Sequence, residues 1–176
     1  MIQNTLATLA LVAMIGGAVC LPAARSQQPA APTTKATFSL TGLHCPPCAS
    51  TVQNSLARVK GVKSVVVDWN RQNAKVEFDE GVLPAQSLAA AIENTPHMMG
   101  RGMRYAGWLA LKVPKISDDA SGKKVKDALT KVAGVKSVAV YPAQHAASIL
   151  FAGQGTMSSQ QVIDALAKEG IDATIF

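Results

Sequence analysis

The hydrophobic positions of this chain form two similar series of predicted helices and strands. Val52, Leu56 and Val59 are spaced as one face of a helix, and residues 74–78 alternate between apolar and polar as in a half-buried strand. Each apolar residue of both patterns has an apolar counterpart 73 positions later in the chain. The pattern therefore predicts one helix and one strand that are each used twice.

The resemblance between the two series extends to a long segment of nearly identical sequence. Residues 59–67 read VKGVKSVVV and residues 132–140 read VAGVKSVAV, and a second apolar helix pattern also recurs after one inserted residue. Each series predicts the order strand, helix, strand, strand, helix, strand. We therefore predict an α+β fold of two tandem βαββαβ sandwiches, at residues 36–106 and 107–176.

The first part of the chain has the pattern of an export signal. Residues 6–24 are apolar, and the small residues of Ala24-Arg25-Ser26 suit cleavage after Ser26, so residues 1–26 are predicted to be a signal peptide. Cys20 suggests a lipoprotein, but the Val19 that precedes it is bulkier than lipoprotein processing usually accepts. We expect a periplasmic or other extracytoplasmic protein, anchored to the membrane only if this segment is retained or lipidated. The Pro-rich residues 27–35 are predicted to form a flexible tether.

The strongest chemical signal is the pair of cysteines in Cys45-Pro46-Pro47-Cys48, where a predicted strand at residues 36–41 gives way to a predicted helix. Two thiols about one helical turn apart can close on one soft metal ion, and a helix N-terminus favours the thiolate form that binds metal. Two thiolates suit Cu(I) or Hg(II), whereas Zn(II) needs further donors to reach four. A redox dithiol, a structural disulfide and two ordinary buried cysteines are the alternatives.

A second concentration of soft donors lies further along the chain, where His97 is followed by Met98, Met99 and Met103. The repeat pattern places this segment between the second helix and the last strand of the first repeat. In a βαββαβ sandwich the last strand lies antiparallel beside the first, so its beginning neighbours the end of the first strand, close to Cys45. His44, His97, Met98 and Met99 are therefore candidate auxiliary metal ligands beside Cys45 and Cys48. The alternatives are that the methionines pack between the repeats as flexible filler and that His44 is an exposed imidazole.

The second repeat lacks the cysteines. The offset of 73 positions puts Asp118 and Ser121 where the first repeat has Cys45 and Cys48, so this copy is not expected to bind a soft ion. We expect it to serve as a scaffold, a docking surface for a partner, or a cover for the first repeat.

Charge and aromatic content narrow the range of partners. The chain has 17 Lys and Arg against 11 Asp and Glu, and aromatic residues make up 5% of it. The basic residues are not interleaved with stacking aromatics, which argues against a nucleic-acid partner.

The glycine before the cysteines, the segment KGVKSVVV at residues 60–67 and the βαββαβ order together resemble the heavy-metal-associated domain family. That family includes copper chaperones, N-terminal modules of metal-transporting P-type ATPases and the periplasmic mercuric-ion-binding protein. The resemblance implies ferredoxin-like sandwiches, with Cys45 and Cys48 holding one ion on an exposed loop. Leu43 stands where the family usually has methionine, and it is expected to support the loop from the core.

The function expected from these observations is that of an exported binding protein, not an enzyme. It would capture a soft ion, Cu(I) first, and pass it to a metal transporter or another metal-accepting protein. A periplasmic Hg(II)-binding protein of a detoxification system and a thiol-disulfide redox module are the alternatives. The predicted order of strands argues against a thioredoxin-like module.

Overall fold

The computed structural model describes residues 33–100 and 102–176, which form seven strands, four α-helices and one short 3-10 helix. The strands are β1 (Thr33–Thr41), β2 (Val62–Asp68), β3 (Asn73–Asp79), β4 (Ala106–Lys112), β5 (Val135–Tyr141), β6 (Ala146–Phe151) and β7 (Thr174–Ile175). The helices are α1 (Pro46–Leu56), α2 (Ala85–Glu93), α3 (Asp119–Thr130) and α4 (Ser159–Lys168), and the 3-10 helix is Pro142–Gln144.

The order strand, helix, strand, strand, helix occurs twice along the chain, and every pairing of strands is antiparallel. This confirms the predicted α+β class. The alternation along β1 shows why one face of the sheet is covered: Ala36, Phe38 and Leu40 are buried, while Ser39 and Thr41 are exposed. The buried positions of α1 and α2, among them Leu56 and Leu88, belong to the same hydrophobic core.

The strands form one continuous sheet rather than two separate sandwiches. Its order is β2-β3-β1-β4-β6-β5, and β7 also pairs with β4. On one side β4 pairs with β1 through Phe38 and Leu109, and with β7 through Leu111 and Ile175. On its other side it pairs with β6. The expected boundary at residue 106 therefore falls where a strand shared by both halves begins.

The βαββαβ order predicted for residues 36–106 left residues 97–105 to form the last strand of the first half, and this part of the prediction is wrong. The described residues of this segment form turns and irregular structure, with Gly100 at φ +128°. The first part of β4 takes the place of the missing strand, because it pairs with β1. Gly107, Leu109 and Leu111 of β4 face the core. At Gly107 a Cβ atom would lie 2.4 Å from Cδ1 of Ile92, so the absence of a side chain lets α2 lie close against β4.

The first strand begins earlier than expected. Residues 33–35, assigned above to a flexible tether, are part of β1, where Thr33 pairs with Asp79 and Lys35 with Glu77. Their β-branched threonines suit a strand. The predicted signal peptide and the rest of the tether lie outside the described residues. In the described part of the chain, no helix has the length and apolar character needed to span a bilayer.

Polar contacts join the two halves on the helical side of the sheet. The buried Gln86 of α2 donates from Nε2 to the Ala152 carbonyl oxygen at 3.1 Å and accepts from the Met157 amide at 3.3 Å. The Glu80 carboxylate accepts from the amide and the hydroxyl of Ser159, at the start of α4, at 2.7 and 2.8 Å. Because these bonds cross between the halves, the shared sheet is reinforced by a second line of contact.

Candidate metal centre

The two cysteines come together at the first turn of α1. Cys45 is the N-cap residue, Pro46 and Pro47 fill the first two helical positions, and Cys48 follows at the third. The structure joins Cys45 and Cys48 as a disulfide with their Cα atoms 5.3 Å apart. Cys48 is fully buried and Cys45 is partly exposed. The pair predicted from the sequence is thus brought together, and a metal ion can use it only after both sulfurs are reduced.

The helix start supplies few hydrogen bonds to these sulfurs. Pro46 and Pro47 have no amide hydrogen, and the amide of Cys48 donates to the carbonyl oxygen of Cys45 at 3.0 Å. The N-cap side chain makes no capping bond. Because the backbone amides of the first three helical positions are missing or engaged, a pair of thiolates here depends on the helix dipole and on a bound cation for stabilisation.

The corresponding positions of the second half are used differently. Asp118 is the N-cap of α3 and forms a capping box with Ser121. The Ser121 amide and hydroxyl each donate to Oδ1 of Asp118 at 2.7 Å. These bonds, the one from the backbone first, hold the pKa of the Asp118 carboxyl below its ordinary value of 3.8. The same two positions thus cap a helix in one half and carry sulfur in the other.

The loop before the cysteines is fixed by close backbone contact with the segment before β4. Gly42 has φ +88°, and a Cβ atom there would lie 2.3 Å from the carbonyl oxygen of Arg104 and 3.3 Å from Cα of Tyr105. Only glycine fits this conformation and this space. Leu43 is 5% exposed and belongs to the core, as the family resemblance implied. The cysteine loop is thus held by two contacts, the backbone of Gly42 against residues 104–105 and the side chain of Leu43 in the core.

His97 joins the same loop through both of its ring nitrogens. The Met99 amide donates to Nδ1 at 3.1 Å, so the proton lies on Nε2, which donates to the Gly42 carbonyl oxygen at 2.9 Å. The ring also stacks on Tyr105 with centroids 4.5 Å apart. To ligate a metal, His97 must break one of these hydrogen bonds. Its ligand role stays a prediction, and its observed role is to position the loop.

The other predicted auxiliary ligands are exposed side chains. His44 is exposed, with its ring centroid 5.7 Å from that of His97. Met98 and Met99 are 56% and 57% exposed, and Met103 is 44% exposed. The alternative that these methionines pack between the halves is therefore wrong. Within residues 33–100 and 102–176, no three His, Cys, Asp or Glu side chains are grouped so that they could hold a metal ion.

Sequence reasoning missed Tyr105. This side chain is fully buried beneath His97, and its hydroxyl has no hydrogen-bond partner among the described residues. Its position at the end of the segment expected to form a strand does not reveal which neighbour the ring meets. The tyrosine gives His97 a flat surface to lie on, so it supports the loop indirectly.

Comparison with known proteins points to one family. The model of the heavy-metal-associated domain matches residues 37–97, which include the cysteine loop and His97. The copper chaperone CopZ of Enterococcus hirae is 34% identical over 58 residues, covering 33% of this chain and 84% of the chaperone. The periplasmic component of the mercuric transport protein of Salmonella typhi is 34% identical over 64 residues, covering 36% of this chain and 70% of that protein.

Longer alignments reach into the second half. The copper-transporting ATPase HMA4 of rice (Oryza sativa subsp. japonica) is 28% identical over 174 residues, which is 98% of this chain but 18% of the ATPase. The chain thus spans less than a fifth of the length of that relative. The solved water-soluble region of the P-type ATPase CopA from Bacillus subtilis covers 82% of this chain and 92% of its own, at 17% identity and a TM-score of 0.40.

Proposed function

The chain belongs to the heavy-metal-associated domain family, and from this premise we propose that it captures one soft metal ion between Cys45 and Cys48 and passes it to a partner. The observation that carries the proposal is the convergence of the two cysteines on the first turn of α1, with Cys45 partly exposed. The ion is cargo, and no catalysis is involved. Export from the cytoplasm belongs to the same proposal and is supported by the pattern of residues 1–26.

Transfer follows from the small number of ligands. Binding of the ion releases the protons of both thiols, and two thiolates then hold it. A two-coordinate ion leaves room for a thiolate of the partner to bond to it before Cys45, the more exposed sulfur, lets go. Cys48 is fully buried and is the last to release. The partner is a metal transporter or a metal-accepting protein that offers its own sulfur ligands.

Copper in the Cu(I) state is the first choice of ion. Two thiolates without further donors satisfy Cu(I), and the relatives named above include a copper chaperone and a copper-transporting ATPase. Hg(II) is the second choice because the same donor pair suits it and a mercuric transport protein is also similar. Zn(II) is the third, since two sulfurs leave half of its usual four positions unfilled.

The disulfide between Cys45 and Cys48 favours one other candidate, a thiol-disulfide redox module. That function needs a thiolate that attacks and a second one that resolves. The prolines between the cysteines remove amide donors that would stabilise the attacking thiolate, which makes this candidate the weaker one.

A titration separates these functions. The full chain, carrying Cys20→Ser so that only the pair can react, is reduced and titrated with Cu(I), Hg(II) and Zn(II) against competing chelators. We expect one equivalent of Cu(I) to bind tightly and to be lost in Cys45→Ser and in Cys48→Ser. A reduced, folded sample that takes up neither Cu(I) nor Hg(II) would refute the proposal. Catalytic turnover of a disulfide substrate by the metal-free protein would favour the redox module.

A further inference from the structure

Three methionines stand on the surface beside the cysteine loop without covering any core. Met98, Met99 and Met103 are 56%, 57% and 44% exposed, although methionine is among the residues most often buried in proteins. By contrast Met157 packs against the core. Exposed apolar side chains are normal when they are scattered singly, but three thioethers within six residues present soft donor atoms in one place.

Two backbone hydrogen bonds turn this segment back on itself at Gly100. The Gly100 amide bonds the His97 carbonyl oxygen and the Met103 amide bonds the Gly100 carbonyl oxygen, each at 3.4 Å, and Gly100 has φ +128°. As a result Met98 and Met103 line the same hollow of about 420 Å³. Met99 does not line the hollow, but it directly follows Met98, its side chain is exposed and its amide donates to His97.

The two sulfur atoms are the soft donors of the hollow, whose lining also includes the hard oxygen atoms of Asn94 and Thr95. Glu93 and Arg104 contribute one carboxylate and one guanidinium, so the described charged groups balance each other. His97 also lines the hollow, but both of its nitrogens are engaged in hydrogen bonds. A hard divalent ion would find one carboxylate here, whereas a soft monovalent ion would find neutral thioethers.

We propose that Met98, Met99 and Met103 form a second Cu(I) site that works without the cysteines. Thioethers bind Cu(I) without losing a proton and cannot be joined into a disulfide. The cysteine pair, by contrast, loses its ligand function once it is oxidised, which is the state that the structure holds. The methionine site therefore keeps Cu(I) on the protein in an oxidising compartment and next to the loop that receives it after reduction.

Silver tests the site without disturbing the disulfide, because Ag(I) resembles Cu(I) as a soft monovalent ion and needs no reductant. The oxidised full chain with Cys20→Ser, in chloride-free buffer, is titrated with silver nitrate by calorimetry and by NMR of the methionine methyl groups. We expect one equivalent to bind and the methyl signals of Met98, Met99 and Met103 to shift, with that of Met157 unchanged. Replacing the three by leucine removes every thioether of the proposed site and should weaken binding about tenfold or more, while Met157→Leu should not.

Two results would overturn this site. One is that the oxidised protein binds no silver, and the other is that the triple leucine variant binds it as tightly as the parent. If the triple leucine variant keeps its affinity for silver and His44→Gln loses it, the methionine site is refuted. The ion would then be assigned to the imidazole of His44. The reduced triple variant should still bind Cu(I) at Cys45 and Cys48, so failure of the methionine site is distinguishable from failure of the cysteine site.

Discussion

The Nε2 atom of His97 donates to the carbonyl oxygen of Gly42 across 2.9 Å, which ties the segment before β4 to the loop before α1. The two residues are 55 positions apart in the sequence. The cysteine loop therefore takes its shape from a residue beyond the second helix of the first half.

Replacing His97 by phenylalanine should keep the stacking on Tyr105 and remove both hydrogen bonds of the ring. We expect the free energy of unfolding to fall by about 1–3 kcal/mol, because two modest hydrogen bonds are lost and the Met99 amide is left without its acceptor. Denaturant unfolding measures this loss, and hydrogen exchange at Met99 should become faster. The variant should still bind one Cu(I) when reduced, and His44→Gln is the control. Complete loss of the ion from the reduced variant would instead make His97 a ligand.

Adding a methyl group at Gly42 should disrupt the loop. The Cβ atom of alanine would meet the Arg104 carbonyl oxygen at 2.3 Å, and the positive φ is itself unfavourable for alanine. We expect Gly42→Ala to lower the free energy of unfolding by more than about 1 kcal/mol and to weaken metal binding by the reduced protein. Gly102→Ala is the matched control, since a Cβ at Gly102 meets no atom within 4 Å. Equal stability of the two variants would contradict the packing described for Gly42.

A comparison of the first turns of α1 and α3 suggests that cysteine at the N-cap makes α1 less stable than an aspartate N-cap would. Cys45 provides no side-chain cap, whereas Asp118 at the equivalent place does. Cys45→Asp should therefore be more stable than Cys45→Ala by about 1 kcal/mol, because the Cys48 amide, which donates to the carbonyl oxygen of residue 45, can share its hydrogen with an aspartate N-cap. Both variants lack the disulfide, so the comparison isolates the cap, and both should lose the tight Cu(I) site. Thermal unfolding measures the difference, and an alanine variant as stable as the aspartate variant would show that the proline-containing turn cannot be capped.

The cap of α3 should make stability depend on acidity. The Ser121 bonds lower the pKa of Asp118 in the folded state, so the ionised carboxyl stabilises the protein above the ordinary pKa of 3.8 and that contribution is lost as the pH falls through the lowered value. We expect Asp118→Asn to be less stable than the parent at neutral pH and the difference to shrink in acid. Urea unfolding of both proteins from pH 7 down to about pH 2 measures it. A difference that stays constant over this range would mean that the charge contributes nothing.

Hydrophobic periodicity was enough to locate most of the elements. The stripe of Val52 and Leu56 predicts α1, the alternation at residues 74–78 predicts β3, and the offset of 73 positions carries both predictions into the second half as α3 and β6. These patterns succeed because each element buries one face on the sheet or the core.

The hydrophobic pattern did not show that β4 would pair with strands of both halves. The alternation at Gly107, Leu109 and Leu111 shows which face of β4 is buried, but a strand pairs through its edges, and edge pairing leaves no periodic trace. The sequence pattern placed the His97 segment beside the end of the first strand, but it did not reveal the contact of His97 with Gly42 or the position of Tyr105. Both depend on the pairing of Thr41 with Ala106, which sets the register.

The candidate site was predictable in its chemistry more than in its geometry. The spacing of Cys45 and Cys48 indicates a shared ion or a disulfide, and the structure brings the two residues together. The engagement of both nitrogens of His97 and the exposure of Met98 and Met99 are facts of packing that composition does not contain.

The double use of β4 limits how this molecule can be shortened. A chain that stopped before Ala106 would keep the cysteine loop and every helix of the first half, yet its β1 would be left with unpaired amides and carbonyls along one side. Such a rim can recruit extended peptides or further copies of itself and lead to aggregation. A shortened chain that is to carry the cysteine loop must therefore continue through Lys112, the end of β4, so that this edge of β1 stays covered.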